Sequence, residues 1–79
     1  MSLNEALSKR IKELLFQNDF TQYKLFKLSG IYQSEISKII NQKTKKVAVT
    51  TLYALAQGFG MNLSEFFDSP LFKNNNIID

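Results

Sequence analysis

The sequence predicts an all-α protein, a compact bundle of five short helices. Three observations carry that expectation. Apolar residues recur at three- and four-residue spacing in successive short segments. Ser, Thr or Asn stands at capping distance ahead of several of them. No hairpin turn signal appears, and Val47 and Val49 alone are too few to make a strand. With 79 residues, one proline and three glycines, the chain has room for one small domain of little-interrupted elements. That domain is expected over residues 1–69, with 70–79 as a short flexible tail.

Each element has its own signature. Ser2 and Glu5 have capping-box spacing, and Leu7, Ile11, Leu14 and Leu15 follow with helical period, so a first helix runs from about residue 3 to 17. Asn18-Asp19 ends it. Thr21 can cap a second helix, with Phe20 and Leu25 at hydrophobic-staple spacing. Ser29-Gly30 stops that helix early, because glycine tolerates a left-handed turn. Ile31 and Ile36 repeat the staple around a third helix from about residue 33 to 41, whose Ile36, Ile39 and Ile40 share a face. A polar, basic loop fills 42–48. Leu52, Leu55, Ala56 and Phe59 mark a fourth helix that stops at Gly58–Gly60. Asn62 and Glu65 form a second capping box, opening a short fifth helix that ends before Pro70. The asparagine-rich end reads as frayed.

Composition excludes several kinds of chemistry. Without cysteine there is no disulfide, thiolate nucleophile or sulfur-based zinc site. Without histidine the commonest general base and metal ligand are missing. The seven carboxylates are scattered, and neither a phosphate-binding glycine loop nor a nucleophile elbow is present. Glu35 and Lys38, at i,i+3 spacing, read as a surface ion pair. No apolar run approaches the roughly 18–20 residues of a membrane span, and residues 1–10 lack a secretory pattern. The expectation is a cytoplasmic, soluble, non-enzymatic domain with no cofactor, no metal, no membrane partner and no evident small-molecule ligand. No effector domain is expected after the fifth helix, and regulation is expected through a partner, dimerisation or concentration.

Charge is distributed unevenly. Residues 21–48 hold six lysines against Glu35 alone, whereas the remainder holds four basic and six acidic side chains. Opposite signs in two parts of so short a chain imply a directed field. On a wheel of the third helix, Gln33, Ser34, Ser37, Lys38 and Asn41 fall within an arc of about 140°, opposite the isoleucines. Such a face of donors and acceptors suits base edges: Gln pairs bidentately with adenine, Ser donates or accepts, and Lys reaches guanine. Taken alone, it equally describes the wet side of an amphipathic helix. Lys43, Lys45 and Lys46 on the following loop could neutralise phosphates, and Thr44 could add a neutral hydrogen bond. The amino-terminal N–H groups of the second and fourth helices also favour phosphate.

A brief helix, Ser29-Gly30-Ile31 and a second brief helix match a helix-turn-helix arrangement. The run TQYKLFKLSGIYQSEISKIIN, followed by TLYALAQGFGMNLSEFF, resembles the lambda-repressor/Cro-like (Xre-type) helix-turn-helix family over about residues 3–67. No single residue carries that resemblance; the joint spacing does. It implies a sequence-specific, repressor-like transcriptional regulator that binds double-stranded DNA with its third helix in the major groove. It also implies that Gln22 anchors a phosphate and can buttress Gln33, that Gln33, Ser34, Ser37 and Lys38 touch bases, and that Asn41 touches the backbone.

This chain departs from the family pattern at four places. Phe26 stands where Ala is usual, Tyr32 replaces a small cap, Gln42 replaces a helix-ending glycine, and Ala48 replaces a Ser cap. Tyr32 thereby becomes a candidate base contact, able to stack on a sugar or base or to approach a thymine methyl. Phe16, Phe20, Phe59 and Phe66 are expected in the core. Phe67, Leu71 and Phe72 either build a two-fold interface for binding a palindromic operator as a homodimer or close the domain's own end. The rival function is a protein-interaction module on the same fold, such as an antitoxin or anti-repressor, which requires an exposed apolar patch around Phe67–Phe72.

Overall fold

A computed structural model describes residues 1–78. Its five α-helices are α1 (Leu3–Asn18), α2 (Gln22–Ser29), α3 (Gln33–Ile40), α4 (Val49–Gly58) and α5 (Leu63–Phe66), and a 3₁₀ turn spans Pro70–Phe72. The starts follow the capping residues. The side chains of Ser2, Thr21 and Asn62 accept from the backbone N–H of Glu5, Lys24 and Glu65, and Asn62 with Glu65 forms the full capping box. Tyr32 and Ala48 provide no side-chain cap, so α3 and α4 begin with open N–H groups.

One core joins the helices. Leu7, Ile11 and Leu14 of α1, Leu25 of α2, Ile36, Ile39 and Ile40 of α3, Leu52, Leu55 and Ala56 of α4, Phe59 and Phe66 are buried together. Helix α2 packs on α4, and α1 and α2 both pack on α3. The α2–α4 approach is close enough to need Gly58, where an added Cβ would lie 3.0 Å from both Leu25 Cδ1 and Ser29 Cβ.

The aromatic expectations hold in part. Phe59 and Phe66 are buried, and Phe20 packs on the core with its ring stacked 6.0 Å from that of Phe59. Phe16 is a correction: it is 88% exposed. The reason is angular, since nine residues at about 100° each put Phe16 opposite Leu7 on α1. Phe67 and Phe72 turn inward, 4.9 Å apart between ring centroids, and Phe66 lies 5.2 Å from Phe67. They close the domain's own end. Residues 70–78 make contacts with the rest of the domain. Phe72 packs on the core, the Asn76 amide donates to Pro70 O at 2.6 Å, and Ile78 N donates to Met1 O at 2.8 Å. Phe72 supplies an apolar anchor there, and Asn76 has backbone partners.

Candidate nucleic-acid interface

The turn into α3 is built locally. Gly30 adopts φ +77° and its N–H donates to Phe26 O at 2.9 Å, closing α2 with a left-handed cap. Ser29 Oγ then accepts from Ile31 N at 3.1 Å, while Ile31 packs on the core. Helix α3 follows at once. Its apolar arc of Ile36, Ile39 and Ile40 is buried against α1 and α2, which leaves the opposite arc outside. Gln33, Ser34, Lys38 and Asn41 are exposed and Ser37 is half-buried.

Within that face, Asn41 Nδ2 donates to Ser37 Oγ at 3.1 Å. The contact holds two predicted DNA contacts in one geometry and leaves the serine proton free to donate outward. Gln22 is half-buried at the start of α2, and no hydrogen bond joins it to Gln33 among the described residues. The expected Glu35–Lys38 pair does not form; the ion pairs among the described residues are Lys9–Glu5 and Arg10–Glu13, both on α1.

Tyr32 is 73% exposed, yet it is not loose. Its ring stacks on Phe26 at 6.1 Å, and Phe26 meets Tyr23 edge-on at 6.0 Å. Phe26 thus packs on the core at one side and supports Tyr32 at the other. Two departures from the family pattern, Phe26 and Tyr32, compensate each other. Lys27 Nζ lies 5.9 Å from the centre of the Tyr23 ring.

The loop leaving α3 is shaped by distant partners. Gln42 takes the left-handed position with φ +57°, and the N–H groups of Gln42 and Lys43 donate to Ile39 O at 3.2 Å and Lys38 O at 2.8 Å. These bonds make a Schellman cap at a residue that is not glycine. Asn4 Nδ2 donates to Thr44 O at 3.3 Å and to Lys45 O at 3.1 Å. Thr44 Oγ1 donates to Lys46 O at 3.1 Å, so its single proton is engaged within the loop. Val47, partly buried, then packs against the core. Lys43, Lys45 and Lys46 are exposed and make no ion pair among the described residues.

Three residues of α1 enter this arrangement without having been singled out by motif. Ser8 is buried and donates from Oγ to Ile40 O, the last carbonyl of α3. Asn4 sits one turn earlier and holds the loop. Arg10, 7% exposed, donates from Nε to Phe66 O at 2.7 Å and from Nη2 to Glu65 O at 2.9 Å, tying α5 to α1. The available signal is a polar residue on the apolar side of the α1 wheel: Asn4 lies about 60° from Leu7 and Ser8 about 100°.

Comparison with known proteins agrees with this geometry. Residues 10–70 match the family model of the Cro/C1-type HTH DNA-binding domain. The chain is 38% identical over 65 residues to the HTH-type transcriptional regulator PuuR of Escherichia coli (strain K12), and equally to PuuR of Shigella flexneri. Those alignments cover 82% of this chain and 35% of each relative, so the chain spans about a third of their length. A matched segment that takes in α2, the Gly30 turn, α3 and the basic loop, on a five-helix frame, places this chain in the Cro/C1-type helix-turn-helix DNA-binding family.

Proposed function

We propose that this protein is a sequence-specific, repressor-like transcriptional regulator that acts in the cytoplasm on double-stranded DNA, with α3 in the major groove. The observation that carries the reading is the two-faced character of α3: three buried isoleucines behind, and Gln33, Ser34, Lys38 and Asn41 exposed in front. An eight-residue helix is about 12 Å long, close to the roughly 12 Å width of the major groove. Gln33 and Ser34, at the tip, read base edges. Lys38 reaches guanine, Ser37 donates where Asn41 orients it, and Tyr32 offers an apolar edge to a thymine methyl. Gln22, Asn41, Lys43, Lys45 and Lys46 hold the phosphates, while Thr44 shapes the loop that presents those lysines.

The printed role of the relatives, transcriptional regulation, supports assigning that purpose to this chain. Residues 1–69 form the DNA-binding unit and the segment after them braces it. The chemistry is binding without catalysis or cofactor. Two copies on a palindromic operator, with half-sites about one helical turn apart, fit the family's symmetry. The protein-interaction reading needed an apolar patch at Phe67–Phe72, and the inward packing of those rings gives it no support.

Selection of bound sites from a random duplex pool, followed by titration at several salt concentrations, tests the reading. A palindromic consensus with steep salt dependence is expected. A consensus without symmetry removes the dimer. Binding that is absent at low salt, or indifferent to salt, removes the DNA function itself.

A further inference from the structure

We propose that Asn4 is a positioning residue for DNA-backbone binding: from the first turn of α1, it holds the lysine loop in the shape that meets phosphates. The inference rests on the DNA-binding reading above. Lys43, Lys45 and Lys46 place three like charges within four residues, and none has an acidic partner among the described residues. Their mutual repulsion favours a spread, mobile loop. The backbone beneath them is nevertheless held at three carbonyls. Asn4 Nδ2 has two protons and reaches the consecutive carbonyls of Thr44 and Lys45, at 3.3 and 3.1 Å, while Thr44 Oγ1 reaches that of Lys46 at 3.1 Å.

The holding point is itself fixed. Ser2 caps α1 through Glu5 N at 3.1 Å, so Asn4 stands on a closed first turn. Ser8, one turn further along α1, grips the carbonyl of Ile40. Residues four apart lie on nearly the same helix face. One strip of α1 therefore fixes both the end of α3 and the loop that follows it, 32 to 41 residues away in sequence. Ordering a lysine-rich segment before DNA arrives removes part of the entropic cost of ordering it upon binding. Asn4 acts through the lysines, and it has no part in base choice.

The test compares the unaltered chain with Asn4→Ala on a selected site and on a random-sequence duplex at several salt concentrations. The same comparison is then made with Lys43, Lys45 and Lys46 all changed to Ala. Losing these hydrogen bonds is expected to raise Kd about two- to tenfold on both duplexes alike, with base preference unchanged. The effect should vanish in the lysine-free background. Alanine suits a helix interior, and Asn4→Asp provides a second variant, because a carboxylate in the first turn favours the helix while offering no donor. Asn4→Asp is expected to weaken binding at least as much.

Unchanged Kd in both variants overturns the inference, even if the melting temperature falls. So does an equal loss in the presence and absence of the lysines. If the unaltered chain binds DNA and only the Asn4 effect is missing, the DNA-binding reading stands and this inference falls. If no duplex binds, both fall together.

Discussion

The turn that enters α3 and the loop that leaves it face the same task by different means. Each must end a helix, reverse the chain and present polar groups to one side. The entering turn uses residues that are neighbours in sequence: Gly30 in the left-handed position, Ser29 closing on Ile31, and Ile31 packed against the core. The leaving loop places Gln42 in the same left-handed region and depends on Asn4 and Ser8, more than thirty residues away. The proposed function gives the difference a reason. A short, self-sufficient turn fixes the tip of α3, where the proposed base reading needs a narrow geometry. A longer loop that carries charge needs only approximate placement, because phosphate attraction is less directional.

Removing the distant support should produce the largest change in stability. Ser8→Ala leaves the carbonyl of Ile40 buried without its donor, and an unsatisfied buried group costs about 1–3 kcal/mol. We expect a loss near the top of that range by urea unfolding, with loop amides exchanging faster than those of the entering turn. Equal exchange in both connections would show that the α1 clamp is not what distinguishes them.

The functional side of the comparison separates Gln33 from Lys45. Gln33→Ala should weaken binding to the preferred site by roughly 1–3 kcal/mol and relax the choice of base opposite it. Lys45→Ala should weaken all duplexes alike and reduce the slope of log K against log salt by about 1. The measurement is a binding titration on preferred and scrambled duplexes across salt. If Lys45→Ala changes base preference, or Gln33→Ala changes the salt slope, the division of labour between tip and loop fails.

The entering turn can be tested by strain alone. An added Cβ at Gly30 meets nothing within 4 Å, so any penalty is conformational. At φ +77° an L-residue is disfavoured, and Gly30→Ala should cost about 1 kcal/mol in chemical unfolding. A β-branched Gly30→Val should cost more. A neutral Gly30→Val variant would mean that the turn relaxes out of its left-handed form.

The same contrast decides what the sequence discloses. Capping residues, the Ser29-Gly30-Ile31 turn and the isoleucine face of α3 are legible because their partners lie within a few positions. The polar face follows from the wheel as soon as the isoleucines are placed. Asn4, Ser8 and Arg10 are not legible as loop and helix clamps, since their acceptors are backbone carbonyls 32 to 56 residues away. A carbonyl leaves no trace in residue identity. Phe16 misleads for the opposite reason: its type predicts burial, but its angle on α1 puts it outside. Phe67 and Phe72 required the path of the chain after Pro70 before their direction was decided.

The smallest expected effect is a gain, and it bears most directly on the comparison. Gln42 occupies a left-handed position, φ +57°, which glycine would take with less strain. Its N–H and that of Lys43 complete the Schellman cap whichever side chain is present. Gln42→Gly should therefore stabilise the domain by about 0.5–1 kcal/mol in chemical unfolding, after allowing for the greater freedom glycine gives the unfolded chain. The glutamine side chain is exposed and carries no charge, so the salt slope for DNA should remain as it was. If stability rises and affinity holds, Asn4 and Ser8 suffice to shape the loop and the cap is merely strained. If stability rises while affinity falls, the stiffer glutamine contributes to placing the lysines, and the leaving loop relies on its local sequence more than the α1 clamp implies.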